Sequence, residues 1–126
     1  MKEKIEFTIP LNPRTKKNNQ RIIYNKKLNR QMVIQSDKYL QYEKEAKEHI
    51  PELHIDYKVN IKAVYYRETK HRVDLINLHG ALHDILTKYG CIEDDNVNIV
   101  YSTDGSYVDY DKDNPRTEIT ITKIGD

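Results

Sequence analysis

Three aspartates, Asp74, Asp94 and Asp95, carry the chemistry this sequence offers. Asp74 stands just before a helical run, and the adjacent pair follows about twenty residues later, where the returning chain meets the next strand. Carboxylates are hard oxygen donors, and several at one point hold Mg²⁺ or Mn²⁺ for phosphodiester chemistry. A helix hairpinned onto a strand is expected to bring all three to one mouth. Each also has a plainer role: Asp74 as a helix cap favoured by the macrodipole, the pair as an acidic turn. Adjacent carboxylates repel and are readily held by a cation. Asp74 and Asp95 are therefore the expected metal ligands, with Asp94 as helper and Asn77 orienting Asp74 or the attacking water.

A second chemistry lies in the charge distribution. The net charge is only +1, yet residues 12–36 carry Arg14, Lys16, Lys17, Arg21, Lys26, Lys27 and Arg30 and no acid. Residues 93–113 carry seven acids and one lysine. Charges sorted in this way give a basic surface suited to DNA phosphates and an acidic zone suited to cations. A solvated basic loop is the alternative for the first segment. His79 and His83, four apart, have a spacing used by zinc sites, but no third ligand accompanies them. They are expected on a solvated face or at a dimer contact.

The elements that must position these residues are legible from periodicity. Ile5, Phe7 and Ile9 alternate with polar residues as a half-buried strand ended by Pro10. Residues 10–21 read as a surface loop. Ile22–Tyr24 and Met32–Ile34 flank a polar turn, Asn25–Arg30, and read as a basic hairpin. Ser36 is the expected N-cap of a helix from about Asp37 to His49 that ends before Pro51 and covers a sheet face without deep burial. Ile55–Tyr65 alternates as a long strand with one core face. After Asp74, Leu78, Ala81, Leu82, Ile85 and Tyr89 form one helical face, and Gly90 suits the left-handed stop. Val97, Ile99 and Tyr101 predict a strand directly after Asp95, residues 104–115 a polar loop, and Thr117–Ile124 a last strand. The expected fold is α+β, a mixed β-sheet with two main helices packed on one face.

Composition bounds the remaining classes. A chain of 126 residues is expected to form one domain, 1–126. The single cysteine, Cys91, excludes an internal disulfide and is expected to be a small buried residue. No charged-then-apolar leader and no long apolar run is present, so a cytoplasmic protein without a membrane role is expected. Most of the ten tyrosines are expected in the core, where the ring is buried and the hydroxyl paired.

The stretch DLINLHGALHDILTKYGCIEDDNVNIV, with the upstream FTIPLNPRTKKNNQRI, closely resembles the RusA family of phage-type Holliday-junction resolvases. The order of strand, helix and acidic turn matches over nearly the whole chain. The resemblance implies a homodimeric, Mg²⁺-dependent endonuclease that cuts four-way DNA junctions with paired nicks in recombination and repair. The family motif has the form D-x-D-N-x-x-K followed later by D-D. Asp74, Asn77, Asp94 and Asp95 occupy four of its positions, while Ile76 replaces the second acid and Gly80 the lysine. Lys16 or Lys17 is a candidate substitute for the lost cation, and Asp84 a candidate support. The alternative is a catalytically silent relative that binds branched DNA or a regulatory protein partner.

Overall fold

A computed structural model describes residues 4–16, 20–35 and 37–125, and for residues 20–23 and 33–35 it describes the backbone only. The elements in order are β1 (Lys4–Ile9), β2 (Gln20–Asn25), β3 (Arg30–Gln35), α1 (Asp37–Ala46), β4 (Val59–Arg67), α2 (Leu75–Lys88), β5 (Val100–Ser102), β6 (Tyr107–Tyr110) and β7 (Arg116–Lys123). The fold is α+β with a mixed sheet and two helices. β7 lies between β1 and β4 and is antiparallel to both, whereas β5 and β6 pair in parallel with successive parts of the outer edge of β4. β2 and β3 form a separate antiparallel hairpin, as the sequence predicts.

Alternation decides which face is buried. The register places Ile121 between Ile5 and Ile61, and Ile119 between Phe7 and Ala63. These inward side chains meet Tyr39, Tyr42 and Ala46 of α1 and Leu78, Leu82 and Ile85 of α2 in one core. Burying each large aliphatic group contributes about 1.5–3 kcal/mol. Cys91 is fully buried, and the apolar setting pushes its thiol up to about 12. No helix among the described residues is long and apolar enough to cross a membrane.

Several boundaries differ from the sequence reading for local reasons. α1 gives way at Ala46 to a 3-10 turn, Lys47–His49, because Pro51 biases Ile50 to the extended backbone it adopts (φ −106°, ψ 118°). α1 buries Tyr39, Tyr42 and Ala46 while most of its other side chains are exposed, so it covers the sheet face without deep burial, as the sequence predicts. Ser36 lies outside the described residues. β4 starts at Val59 instead of Ile55, since the N–H groups of Leu53, His54 and Ile55 bond to the carbonyls of Gly90 and Cys91. The strand expected from Val97 is a turn until Val100. Ile99 and Val100 donate to the Asn96 carbonyl and Asn98 donates to its side chain, leaving Val97 exposed. Asparagine offers the backbone local bonds that compete with a ladder. β6 falls within the expected polar loop, where Tyr-Val-Asp-Tyr is too short to stand out among its polar neighbours.

Candidate active site

The end of α2 sets the geometry of the acidic turn. Gly90 has φ +80°, and a Cβ there would stand 3.1 Å from both Glu52 Cγ and His54 Cε1. The left-handed turn lets Cys91 donate to the Leu86 carbonyl at 2.9 Å, and the chain then runs back beside the helix. The Ile55 carbonyl accepts from Glu93 N at 2.9 Å and fixes the approach to Asp94 and Asp95.

This reversal brings Asp95 against Asp84 on α2. The Asp95 carboxyl is held above the usual range, first by loss of solvation, then by its hydrogen bond with Asp94 and by the charge and hydrogen bonding of Asp84. Asp94 is engaged within its own turn, accepting from Asp95 N at 2.7 Å and from Asn96 Nδ2 at 3.0 Å. Lys16, arriving from the loop after β1, places Nζ 2.6 Å from Asp84 Oδ2. Two carboxylates thus face each other at a half-exposed spot with one ammonium beside them. That arrangement is suited to negative charge arriving next to a bound cation.

Asp74 stands apart from this group. It occupies the N-cap position of α2 in extended backbone, yet its side chain makes no capping bond. Asn77 Nδ2 donates to its Oδ2 at 3.3 Å. The carboxylate therefore keeps lone pairs free for another ligand. A rise of about 1.5 Å per residue puts Asp84 about 15 Å along the helix from Asp74. The expected meeting of Asp74, Asp94 and Asp95 at one mouth is not formed: among the described residues no group of three or more His, Cys, Asp or Glu is placed to hold a metal ion. Between the two ends, Ile76 and Gly80 share the stripe that leads to Asp84 at helical spacing. Ile76 is 81% exposed, and nothing lies within 4 Å of where a Gly80 Cβ would stand.

The basic segment divides. Arg14 and Lys16 lie on the body, while Lys26, Lys27 and Arg30 are exposed on the hairpin. Lys17 and the Arg21 side chain lie outside the described residues. Sequence reasoning gave little weight to the run RETKHR before Asp74, where Arg67, Lys70 and Arg72 line a cleft of about 410 Å³. The signal was there in its three cations.

His79 and His83 are a correction. They do not form a solvated face: His79 is 9% exposed, and its Nδ1 shares a 2.7 Å hydrogen bond with Tyr65 Oη. The rings stack at 5.5 Å with 7° between planes, and both Nε2 atoms are buried without a hydrogen-bond partner among the described residues. Burial holds both below the usual imidazole range, His83 at about 4 with the His79 charge as a further cause. Position 79 follows Leu78 closely enough around the helix to share the edge of its apolar arc.

Comparison with known families gives one match: the family model described as "Endodeoxyribonuclease RusA" aligns with residues 10–122. No curated protein matches the chain.

Proposed function

We propose, from the premise that this chain belongs to the endodeoxyribonuclease RusA family, that it cuts four-way DNA junctions in recombination and repair with the help of Mg²⁺ or Mn²⁺. The observation that carries this reading is the facing of Asp95 and Asp84 with Lys16 at 2.6 Å. Family membership implies endodeoxyribonuclease action on DNA. The junction as substrate, the cation and the residue roles are our proposal.

The donor set fits such an ion in kind. It is made of hard oxygens, and loss of solvation, then the neighbouring carboxylates, raise the Asp95 carboxyl, which divalent charge offsets. Mg²⁺ commonly takes one or two carboxylates, with water and substrate phosphate completing its shell. Asp95 is the proposed ligand at this spot, with Asp84 and Asp94 supporting it, and Asp74, about 15 Å along α2 from Asp84, is proposed to hold a separate ion. When bound, the ion supplies water activation and charge stabilisation at the scissile phosphate. Lys16 offers a cation for phosphate charge in place of the lysine absent at Gly80. Asn77 orients the Asp74 carboxylate. The basic hairpin and loop, Arg14 to Arg30, hold neighbouring phosphates, with Lys17 and Arg21 among them by sequence. We further propose a single domain acting as a cytoplasmic homodimer, since paired nicks need two sites.

A second reading, a silent relative that binds branched DNA or a regulatory partner, is favoured by the exposed Ile76 and by the absence of a three-donor group among the described residues. Incubation of a labelled four-way junction and a linear duplex with Mg²⁺ or Mn²⁺ separates the two. Paired nicks on the junction, lost in Asp95→Asn and Asp74→Asn, support the enzyme. Tight junction binding without nicks in any metal supports the silent reading.

A further inference from the structure

The cleft just upstream of Asp74 is unused by the function proposed above. Its walls are the loop after β4 on one side and β6 on the other, with Arg67, Lys70 and Arg72 opposite Tyr110 and one acid, Asp109, at the rim. The parallel pairing of β4 and β6 sets Arg67 beside Tyr110, and Asp111 N donates to the Arg67 carbonyl at 2.8 Å. Arg67 Nη1 donates to the His71 carbonyl at 2.6 Å and closes the loop. Glu68 N donates to Asn12 Oδ1 at 2.9 Å, tying the loop to the segment that carries Arg14. The cleft is thus lined by two separate parts of the chain, one of them braced by a third.

Its chemistry is that of an anion next to an aromatic plane. Arg67 Nε is buried with no acceptor among the described residues. Burial, and then the neighbouring Arg14 charge, hold its guanidinium below the usual range, and Glu68 offsets only part of that. Lys70 Nζ sits 5.0 Å from the centre of the Tyr110 ring, and that ring is 40% exposed. A phosphate relieves the first feature, and a flat base suits the second. A volume of about 410 Å³ is that of a small-ligand cleft and has no room for a stacked duplex.

We infer that this cleft takes one unstacked nucleotide of the DNA strand, its phosphate on Arg67, Lys70 and Arg72 and its base on Tyr110, which sets the adjoining phosphodiester at Asp74. The inference rests on the family reading, because it takes DNA as the substrate. Lys70, Arg72 and Tyr110 are positioning residues: they hold the strand and leave the reacting bond to other groups. Bases at the exchange point of a four-way junction have fewer stacking neighbours than those in an arm. The cleft therefore favours the junction centre over linear duplex.

The test uses the full chain in EDTA, so that binding is read without cutting. The probe is a four-way junction with a fluorescent adenine analogue at the exchange point. Tyr110→Ala is expected to weaken binding about tenfold and to abolish the change in probe fluorescence, while Tyr110→Phe keeps both. Lys70→Ala and Arg72→Ala are each expected to lower the slope of log affinity against log salt by about one. Unchanged affinity, fluorescence and salt slope in all these variants, with wild-type protein still binding the junction, overturn the cleft alone. Failure of the wild-type protein to bind any DNA overturns the proposed function and the cleft with it. A polyglutamate peptide that displaces wild-type and Tyr110→Ala protein equally well at the same concentration also overturns the base-stacking role.

Discussion

Lys16 Nζ lies 2.6 Å from Asp84 Oδ2 across 68 residues of sequence. Both side chains are half-exposed, 36% and 45%, so the pair contributes at most about 1 kcal/mol to folding. Its significance is one of place: it sets a cation beside the carboxylate that faces Asp95. Lys16→Ala is expected to lower the single-turnover nicking rate by about tenfold to a hundredfold. Its urea midpoint should stay close to that of the parent. A large loss of stability with an unchanged rate per folded molecule would make the pair structural.

The open notch at Gly80 and the exposed Ile76 allow restoration of the family motif. Gly80→Lys meets no neighbour at Cβ, and replacing Gly in a helix interior stabilises it by up to about 1 kcal/mol. Ile76→Asp replaces an apolar side chain already in water. The double variant should fold at least as well as the parent and nick junctions faster by tenfold or more, as a rough lower bound. Equal rates would show that Lys16 and Asp84 already do this work.

The stacked histidines predict an acid-sensitive core. His83 titrates at about 4 in the folded chain against about 6.5 when unfolded, so the folded state prefers the neutral ring. The stability this confers is complete above about pH 6.5 and is lost as pH falls toward 4, on the order of 2–3 kcal/mol. Urea midpoints measured from pH 7 to 4.5 should fall less steeply in His83→Leu than in the parent. Parallel curves for the two proteins would refute the assignment.

Gly90→Ala tests the turn that aims Asp94 and Asp95. The left-handed backbone costs an L-residue about 1–2 kcal/mol, and the new Cβ presses on Glu52 and His54 at 3.1 Å. The expected readout is an unfolding free energy in urea lower by that amount, together with weaker Mn²⁺ binding measured by calorimetry. Full stability with full metal affinity would show that the turn does not set the site.

The hairpin carries a separable share of the DNA contacts. Changing Lys26, Lys27 and Arg30 together to Ala should lower the salt slope of junction binding by about two to three without altering preference for junction over duplex. The three side chains are exposed. Thermal melting is therefore expected to be unchanged, and a selective loss of junction preference would contradict the prediction.

Much of this arrangement is written in local patterns. The alternation of Ile5, Phe7 and Ile9, the 3.6-residue spacing from Leu78 to Ile85 and the glycine at 90 each declare their element because the backbone answers to neighbours a few residues away. The family match over residues 10–122 takes in the last two of these and leaves out β1. What periodicity does not carry is how far apart two ends of a helix are. Asp74 and Asp95 share a motif in sequence, but the reversal at Gly90 delivers Asp95 to Asp84, and only the length of α2 says so. Strand β6 escaped notice because its partner, Val64–Arg67, is some forty residues away and supplies the ladder that its own four residues do not announce. The histidines were misplaced because a polar side chain at the margin of an apolar arc turns inward when a tyrosine hydroxyl waits there.

The order of the sheet has a consequence for how the protein is made. Among the described residues β1 pairs only with β7, from Lys4 opposite Thr122 to Ile9 opposite Thr117. As the chain leaves the ribosome, β1 emerges with no edge to join until β7 has followed it. Closing so long a loop before any ladder forms is slow. The centre of the sheet is therefore closed only once β7 has emerged, and the loss of β7 would strand β1 as well.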